Sequence, residues 1–543
     1  MTELEPRIIA FACNWCTYAA ADIAGTSRIQ YPANVRIIRV MCSGMVAPEH
    51  ISLALENGAD GVLVAGCHPG DCHYISGNLK AEERFQMVSQ VTRMLGIEPE
   101  RVKLRWIATS EGPIFAETIK EMVRELKQLG PSPFREPGRT GAEKPARSLE
   151  EVLQETGAYY CLECTKCTSI CPVARGDPSY SPRAVIENAV LGLSNENTHD
   201  KSLFSCLSCY ACSLRCPSEV DYPAFMRTAR ATAFSSGENG CPAHGGFLHS
   251  IVRLMSRSPY QQSRLEWLTD DHRVSDRSDT LFFVGCAPYL EPVFGYLGVR
   301  PLDITRASLR ILNAAGVEPR LLADEKCCGH DALWTGDVET FRRLAGHNVD
   351  LIKEAGVKKI VFSCPESYRT FKLDYPEHGF ALDCELQHIS EFIAEKVEDG
   401  TLKSRESVQK VTYQDPCRLG RHLGVYEAPR KALEAMPGIE LVEMENSREC
   451  ALCCGTSAFT NCDIYSHEMR VERLREAEAS GATTLVTACP KCQIHFTCAM
   501  NDRSEERGPD IKLKVTDLAS LVADCLEQAQ PVSGGRTKRS GDG

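Results

Sequence analysis

The sequence predicts an α/β multidomain protein with an open parallel α/β domain first, a small α-helical domain in the centre and an α/β unit in two tandem copies last. Three observations predict it. Strand-like apolar runs (RIIAFAC, VRIIRVMC, GVLVAGC, VKLRWIATS) alternate with helical stretches over residues 1–130, the pattern of a parallel sheet. Two Cys-x-x-Cys-x-x-Cys-x-x-x-Cys-Pro runs then sit among short helical segments such as SPRAVIENAVLG and YPAFMRTARATAFSS. Finally, TLFFVGC286, DEKC327-C328-G and VFSC364-P are answered by VTYQDPC417, CALC453-C454-G and VTAC489-P-K-C492 at offsets of 131, 126 and 125 residues, a steady period that marks a duplication. The expected spans are 1–130, a linker at 131–150 (PSPFREPGRTGAEKPARS, rich in Pro, Gly and charge), 151–275, the repeats 276–400 and 401–528, and a polar, Gly-rich tail at 529–543 that should be disordered.

A chain of 543 residues exceeds one hydrophobic core and suits several domains of about 100–150 residues. With 43% apolar and 25% charged residues it is neither fibrous nor disordered. No apolar run approaches the ~18 residues of a membrane span, and MTELEPRIIAF has no cationic n-region with a cleavage site, so a cytoplasmic, non-spanning protein is expected. A net charge of -12 argues against nucleic acid, whose phosphates demand surplus Lys and Arg. The 28 cysteines do not suit disulfides, which belong to small secreted chains; thiols two residues apart in a reducing compartment suit soft metal ligation.

In the first domain Cys13, Cys42 and Cys67 end strand-like runs, and Cys16 and Cys72 follow within a turn. The carboxyl ends of parallel strands form one ligand-binding edge, so five thiols converge there. That is enough for a 2Fe-2S centre with one thiol to spare, and spacing does not say which. His68 and His73 flank the set as ligands of a mixed site or as loop hydrogen-bonders. The text CNWCTYAAADIAGTSRIQYP, RVMCSG and GADGVLVAGCHPGDCHYISGN resembles the iron-sulfur D subunit of methyl-viologen-reducing hydrogenase over residues 7–125. The resemblance implies one 2Fe-2S cluster that passes electrons to the flavoprotein A subunit of heterodisulfide reductase.

In the central domain, ferredoxin spacing assigns Cys161, Cys164 and Cys167 with Cys216 to one cubane, and Cys206, Cys209 and Cys212 with Cys171 to the other, because the fourth cysteine of each run reaches across. Zinc would leave half of these thiols unused. An α-helical two-cluster ferredoxin results, and GAYYCLECTKCTSICPVAR resembles the C subunit of heterodisulfide reductase, with two 4Fe-4S clusters. Cys241 has no partner at ligand spacing and is expected to be structural.

Within the repeats, adjacent cysteines diverge unless a turn gathers them, which favours a large cluster over a small tetrahedral ion. The second copy supplies Cys417, Cys453, Cys454, Cys489 and Cys492. The pattern resembles the B subunit of heterodisulfide reductase, where each full Cys-Cys-Gly motif binds a noncubane 4Fe-4S cluster through five cysteines and disulfide cleavage occurs there. The first copy departs from it. It offers Cys286, Cys327, Cys328 and Cys364 but Ser367 in place of the last cysteine, so it holds either a third cubane or a second noncubane cluster with a substitute ligand. Arg418 stands where relatives often carry His; His422 is read either as a proton donor to a departing thiolate or as a backbone-bonded loop residue. Cys450 is a weaker candidate ligand, and Cys384, Cys462, Cys498 and Cys525 are expected on helices, in packing roles.

The resemblances run D-like, C-like, B-like along the chain and imply one complex. No Gly-x-Gly-x-x-Gly after a strand and no Walker loop occurs, so flavin falls to a partner of the A type. Hydrogenase, formate dehydrogenase or another donor would feed it. The expected function is an iron-sulfur subunit that reduces a disulfide at the second-copy cluster; the alternative is a pure electron-transfer subunit serving another anaerobic reductase, aromatic-ring or folate-linked.

Overall fold

The computed structural model describes residues 4–135, 148–192, 202–501 and 510–526; most of the expected linker and the whole expected tail lie outside them. Strands β1 (Ile8–Cys13), β2 (Val35–Val40), β3 (Gly61–Gly66) and β4 (Val102–Trp106) form a parallel sheet in the order β2-β1-β3-β4. The central strands IIAFAC and GVLVAG are apolar on both faces, as a parallel strand covered twice requires. Helices Thr17–Thr26 and Gly112–Leu129 cover one face, where Ile8, Ala10, Leu63 and Ala65 meet Ala20, Ala24, Phe115 and Ile119. Helices Pro48–Glu56 and Gly77–Met94 cover the other through Phe11, Val62, Val64, Leu55 and Val88.

That second core does not stop at the domain. It runs on into helix Phe247–Arg257, whose Phe247, Leu248 and Ile251 join it, and from there into the first repeat. Glu56 fastens the junction by accepting from Arg253 Nε (2.7 Å), Arg253 Nη2 (3.1 Å) and Ser250 Oγ (2.9 Å). A helix inside the span 151–275 thus packs on the first domain and on helix Val338–Ala355.

In the first repeat, β5 (Thr280–Phe283), β6 (Lys359–Phe362) and β7 (Glu385–His388) form a parallel sheet, with Arg320 bridging Leu281 on the outer side of β5. In the second, β8 (Gln409–Gln414), β9 (Ile439–Leu441), β10 (Thr484–Thr487) and β11 (Lys514–Asp517) are ordered β11-β10-β8-β9. The topologies match, with the Arg320 bridge standing for β9. Helix Pro301–Ala314 packs on Leu518–Cys525, and helix Glu427–Glu434 packs on Ile389–Glu398, so equivalent elements make reciprocal contacts about a pseudo-twofold axis.

The ferredoxin region consists of short helices, the longest being Tyr222–Ser235, and its core is shared with the second repeat: Val152, Leu203, Phe225 and Met226 belong to one cluster with Leu474, Phe496 and the cysteines Cys453, Cys454, Cys489 and Cys492. Among the described residues two cores are therefore shared, one joining the first domain to the first repeat and on to Val411, Leu433 and Leu518 of the second, and one joining the ferredoxin region to the second repeat. Some local expectations are corrected. β2 ends at Val40, two residues before Cys42, and Cys384 and Cys462 lie in loops, not on helices. Among the described residues, no helix is long and apolar enough to cross a membrane.

Candidate iron-sulfur sites and their electrostatic setting

β1 delivers Cys13 at its last residue, Cys16 heads the next helix, and β3 hands over directly to Cys67. Their sulfurs lie within 4.8 Å of one another, Cys13 and Cys67 at 3.9 Å. Cys42 and Cys72 converge over Gly77, where an added Cβ would collide with the Cys42 sulfur and lie 3.3 Å from that of Cys72. The two groups form one edge. The hydrogen bond from Cys16 draws the Cys13 thiol down to about 5, while Cys16 itself is pushed up. His68 is held by Glu111 at 2.8 Å and His73 stacks on Trp15 at 3.8 Å.

In the ferredoxin region one cavity is lined by Cys161, Cys164, Cys167 and Cys216, with Cys212 on its wall, and another by Cys171, Cys206, Cys209 and Cys212. Both cysteine runs carry non-glycine residues in the left-handed region at matching places: Glu163 (φ 52°) and Thr165 (φ 62°) in the first, Ser208 (φ 48°) and Tyr210 (φ 69°) in the second. Such backbone costs on the order of 1–3 kcal/mol per residue and persists where a ligand clamp requires it. The sites differ in exposure. Cys164 is open to solvent, whereas Cys206, Cys209 and Cys212 are buried.

Gly329 and Gly455, with φ of 83° and 84°, explain the third letter of the Cys-Cys-Gly motif: the left-handed turn folds the two preceding thiols onto one side. In the first copy Cys327 interacts with Cys286 and Cys328, while Cys364 feels Cys489 of the other copy as well as Cys286 and Cys328. In the second copy Cys453, Cys454, Cys492 and Cys489 form a chain of thiol contacts, and Cys417 faces Cys454. Cys450 is exposed and accepts from Arg215 Nη2 at 3.2 Å, so it turns away from this set. Ser367 is buried. His422 is backbone-bonded, its Nε2 2.9 Å from the Ser208 carbonyl, and burial together with Arg418 and Arg369 pushes its imidazole well below the ordinary value.

Several features were missed in the sequence. His495, one turn beyond Cys492, places Nδ1 3.5 Å from Cys454 Sγ, and its Nε2 has no hydrogen-bond partner among the described residues. A spacing of three residues on a helix was the available signal. Lys491 ion-pairs with both Asp331 and Glu366, and Glu366 is its own counterpart in the first copy. Besides Arg470, which donates to Thr456 Oγ1 and Cys462 Sγ, three arginines, Arg230, Arg418 and Arg421, are buried without a carboxylate partner among the described residues. The groups that face them are cysteines: Cys206 for Arg230, Cys417 for Arg418, and Cys209, Cys417 and Cys453 for Arg421.

Buried cations need counter-charge. As free thiols, Cys206, Cys453 and Cys417, the last pushed up to about 12 mainly by burial, would leave these guanidiniums uncompensated; iron-bound thiolates compensate them. The donor sets fit iron-sulfur clusters.

The comparisons with known proteins agree. Residues 8–130 match the methyl-viologen-reducing hydrogenase delta subunit, 157–220 a 4Fe-4S dicluster domain, and 280–372 and 411–497 the cysteine-rich CCG domain. The chain is 30% identical over 398 residues to the D subunit of the dihydromethanophenazine:CoB–CoM heterodisulfide reductase of Methanosarcina mazei, covering 67% of this chain and 93% of that one. The chain belongs to the family of heterodisulfide reductase D subunits. Its N-terminal part is 56% identical over 132 residues to the iron-sulfur D subunit of the F420-non-reducing hydrogenase of Archaeoglobus profundus, covering 24% of this chain and 96% of that one. It is also 48% identical over 151 residues to part of the A subunit of a ferredoxin/F420H2-dependent CoB–CoM heterodisulfide reductase from Methanosarcina acetivorans, covering 27% of this chain and 18% of that one. This family member is thus an iron-sulfur protein in which a hydrogenase-delta domain and a D-type heterodisulfide reductase unit share one polypeptide.

Proposed function

We propose that the chain is the electron-transferring and catalytic component of a heterodisulfide reductase-like complex, reducing a disulfide at the second Cys-Cys-Gly copy. One observation carries the reading: the second-copy cysteines share a core with the buried ferredoxin site, so that site is their immediate neighbour. When bound, a 2Fe-2S centre at the N-terminal cysteines, cubanes at the ferredoxin sites and a noncubane 4Fe-4S cluster at Cys417, Cys453, Cys454, Cys489 and Cys492 supply one-electron steps and, at the last, iron open to sulfur. The disulfide takes up two electrons and two protons and leaves as two thiols.

The chain's surfaces support a route through a partner. Trp15, Met41, Met45, Tyr74 and Ile75 leave an exposed apolar rim near the N-terminal thiols, and Tyr159, Tyr160 and Leu162 leave another beside Cys161 and Cys164. Exposed apolar patches of this kind mark interfaces. A flavoprotein of the A type would accept electrons at the first rim and return them at the second, fed by hydrogenase, formate dehydrogenase or another donor. Likeness of the first domain to part of an A subunit supports that pairing. The four first-copy thiols, with Ser367 completing no fifth, support a relay role for Cys286, Cys327, Cys328 and Cys364. Likeness to the B subunit of the fumarate reductase (CoM/CoB) of Methanothermobacter marburgensis, 28% identical over 382 residues, favours a dithiol-disulfide couple as substrate class.

The test is anoxic purification with the flavoprotein partner and electron paramagnetic resonance in the presence of candidate disulfides and thiols. A thiol-dependent signal and turnover, both lost in Cys454→Ala, support chemistry at the second copy. Unchanged disulfide turnover in that variant refutes it. Burial of Cys453, Cys454, Cys489 and Cys492 favours a second reading, a relay to another reductase, and iron signals that ignore every disulfide and thiol would select it.

A further inference from the structure

Arg230, Arg418 and Arg421 form a seam of fixed positive charge between the ferredoxin region and the second repeat. Arg421 donates from Nε to the Cys209 carbonyl (2.7 Å) and from Nη1 to the carbonyls of Ala451 (2.8 Å) and Glu449 (3.3 Å), tying the loop of one cysteine set to the loop that precedes Cys453. Arg418 donates to the Ser208 carbonyl, to Ser457 Oγ (3.2 Å) and to His330 Nε2 (3.0 Å). Arg230 donates to the carbonyls of Cys206, Leu203 (2.8 Å) and Trp334 (2.9 Å). Neutral acceptors take every one of these bonds. At the positions of the first repeat equivalent to Arg418 and Arg421 stand Ala287 and Leu290, so these two charges belong to the second copy alone.

We propose that Arg421, backed by Arg230 and Arg418, is a positioning residue of the electron path: its fixed charge raises together the reduction potentials of the site at Cys206, Cys209, Cys212 and Cys171 and of the second-copy site, so that electrons entering at the exposed ferredoxin site are drawn to this pair, within which the former passes them to the latter. The inference rests on the reading that both sites carry iron-sulfur clusters. Reduction adds negative charge, and a neighbouring cation in a buried, low-dielectric place favours the reduced form at both sites. A guanidinium suits the task because it stays charged at every working pH and its fork fixes two loops at once. Only an electron moves in this step: the ferredoxin site is oxidised, the second-copy site is reduced, and no bond forms or breaks. The exposed site at Cys161, Cys164, Cys167 and Cys216 then stands upstream, as the point of entry.

The experiment is an anoxic redox titration of the iron-loaded full chain followed by electron paramagnetic resonance, with iron per polypeptide measured alongside. In Arg421→Met, the ratio of reduced to oxidised form at the wild-type midpoint should fall about tenfold, ~59 mV for a one-electron couple, at both the Cys206 and the second-copy sites. The Cys161 site should hold its potential. Arg421→Lys, which keeps the charge and loses the fork, should stay within about twofold of wild type. A shift confined to one site, no shift, or an equal fall in Arg421→Lys overturns the proposal. If Arg421→Met fails to load iron, the Lys variant decides alone, a tenfold fall refuting the charge argument. A wild-type chain without iron would instead overturn the functional reading beneath it.

Discussion

The buried knot between the two repeats offers the most direct test of how they are joined. Lys491 Nζ meets Asp331 and Glu366, residues that are 4%, 6% and 7% exposed, and lies over the Phe459 ring at 4.7 Å. His330 Nδ1 stands 3.0 Å from Asp331 and 3.4 Å from Glu366. Replacing Lys491 by Met keeps the volume of the stem and removes the one ammonium, leaving two carboxylates whose oxygens lie within 4.8 Å of His330 and of each other. Breaking a buried pair in this way costs about 3–5 kcal/mol. At a urea slope of about 3 kcal/mol per molar for a unit of this size, the midpoint should fall by about 1 M or more. Because the chain has several domains, the midpoint is best read locally, by pulsed hydrogen exchange in peptides spanning residues 330–345 and 484–500 under anoxic conditions, with iron content measured in parallel. Adding Glu366→Gln to Lys491→Met should recover a coupling of about 1–3 kcal/mol, since the second change removes the charge the first left stranded. A midpoint within about 0.2 M of wild type, or additivity of the two changes to within about 0.5 kcal/mol, would refute the account.

Three further outcomes are expected. Gly77→Ala places a methyl group against the sulfurs of Cys42 and Cys72, so the purified chain should lose the iron of its N-terminal site alone, seen as a fall in iron per chain with the ferredoxin signals intact. Asp517, fully buried at the head of helix Leu518–Cys525, is pushed up to about 7 by burial. Its folded value lies above the unfolded carboxylate value, so the native state binds the extra proton, and stability is fully present below about pH 4 and declines as pH rises through 7. Asp517→Asn, which retains the acceptor for the Ala519 N–H, should flatten that decline and stabilise the second repeat by about 1–3 kcal/mol at pH 8, read from urea midpoints at pH 5 and 8. Removing iron with an anoxic chelator should loosen the seam first, because Arg230, Arg418 and Arg421 then face neutral thiols; hydrogen exchange should rise at residues 203–212 and 449–457 before it rises at β1 and β3.

Much of the architecture was legible because cysteine order and apolar periodicity are local signals. The runs that became β1, β3, β5, β6, β8 and β10 are short apolar segments ending near cysteine, and the steady offsets carried the duplication. What escaped was set by partners distant in sequence. β7 (ELQH) and β11 (KVTD) are four-residue edge strands with polar outer positions, and β9 (IEL) has three residues, too few for a period to register. Helix Phe247–Arg257 has an apolar stripe visible in FLHSIVRLMSR, yet its neighbours are the first domain and the first repeat, which no local pattern names. Arg418 stood out in the sequence only as a departure where relatives often carry His, and Arg421 read as an ordinary polar residue; only the fold buries them against Ser208 and Cys209.

The duplication has kept its backbone and divided its chemistry. Pairs of equivalent positions carry unlike side chains: Ser367 and Cys492, Glu366 and Lys491, Thr370 and His495, Leu290 and Arg421. In each pair the second copy holds the candidate ligand, the cation or the sulfur-contacting imidazole, and the first holds a neutral or anionic group. The charges do not all stay in their own copy, since Lys491 ion-pairs with Asp331 and Glu366 of the first. An added electron is stabilised where cations cluster and disfavoured beside a buried carboxylate. Glu366 lies two residues from Cys364, and the Lys491 ammonium that answers it reaches over from the second copy and faces Cys286 of the first as well. Two similar folds facing one another would share an electron evenly. On the proposed reading, the unlike ligand sets together with Arg418 and Arg421 beside the ferredoxin region would make the second copy its terminus.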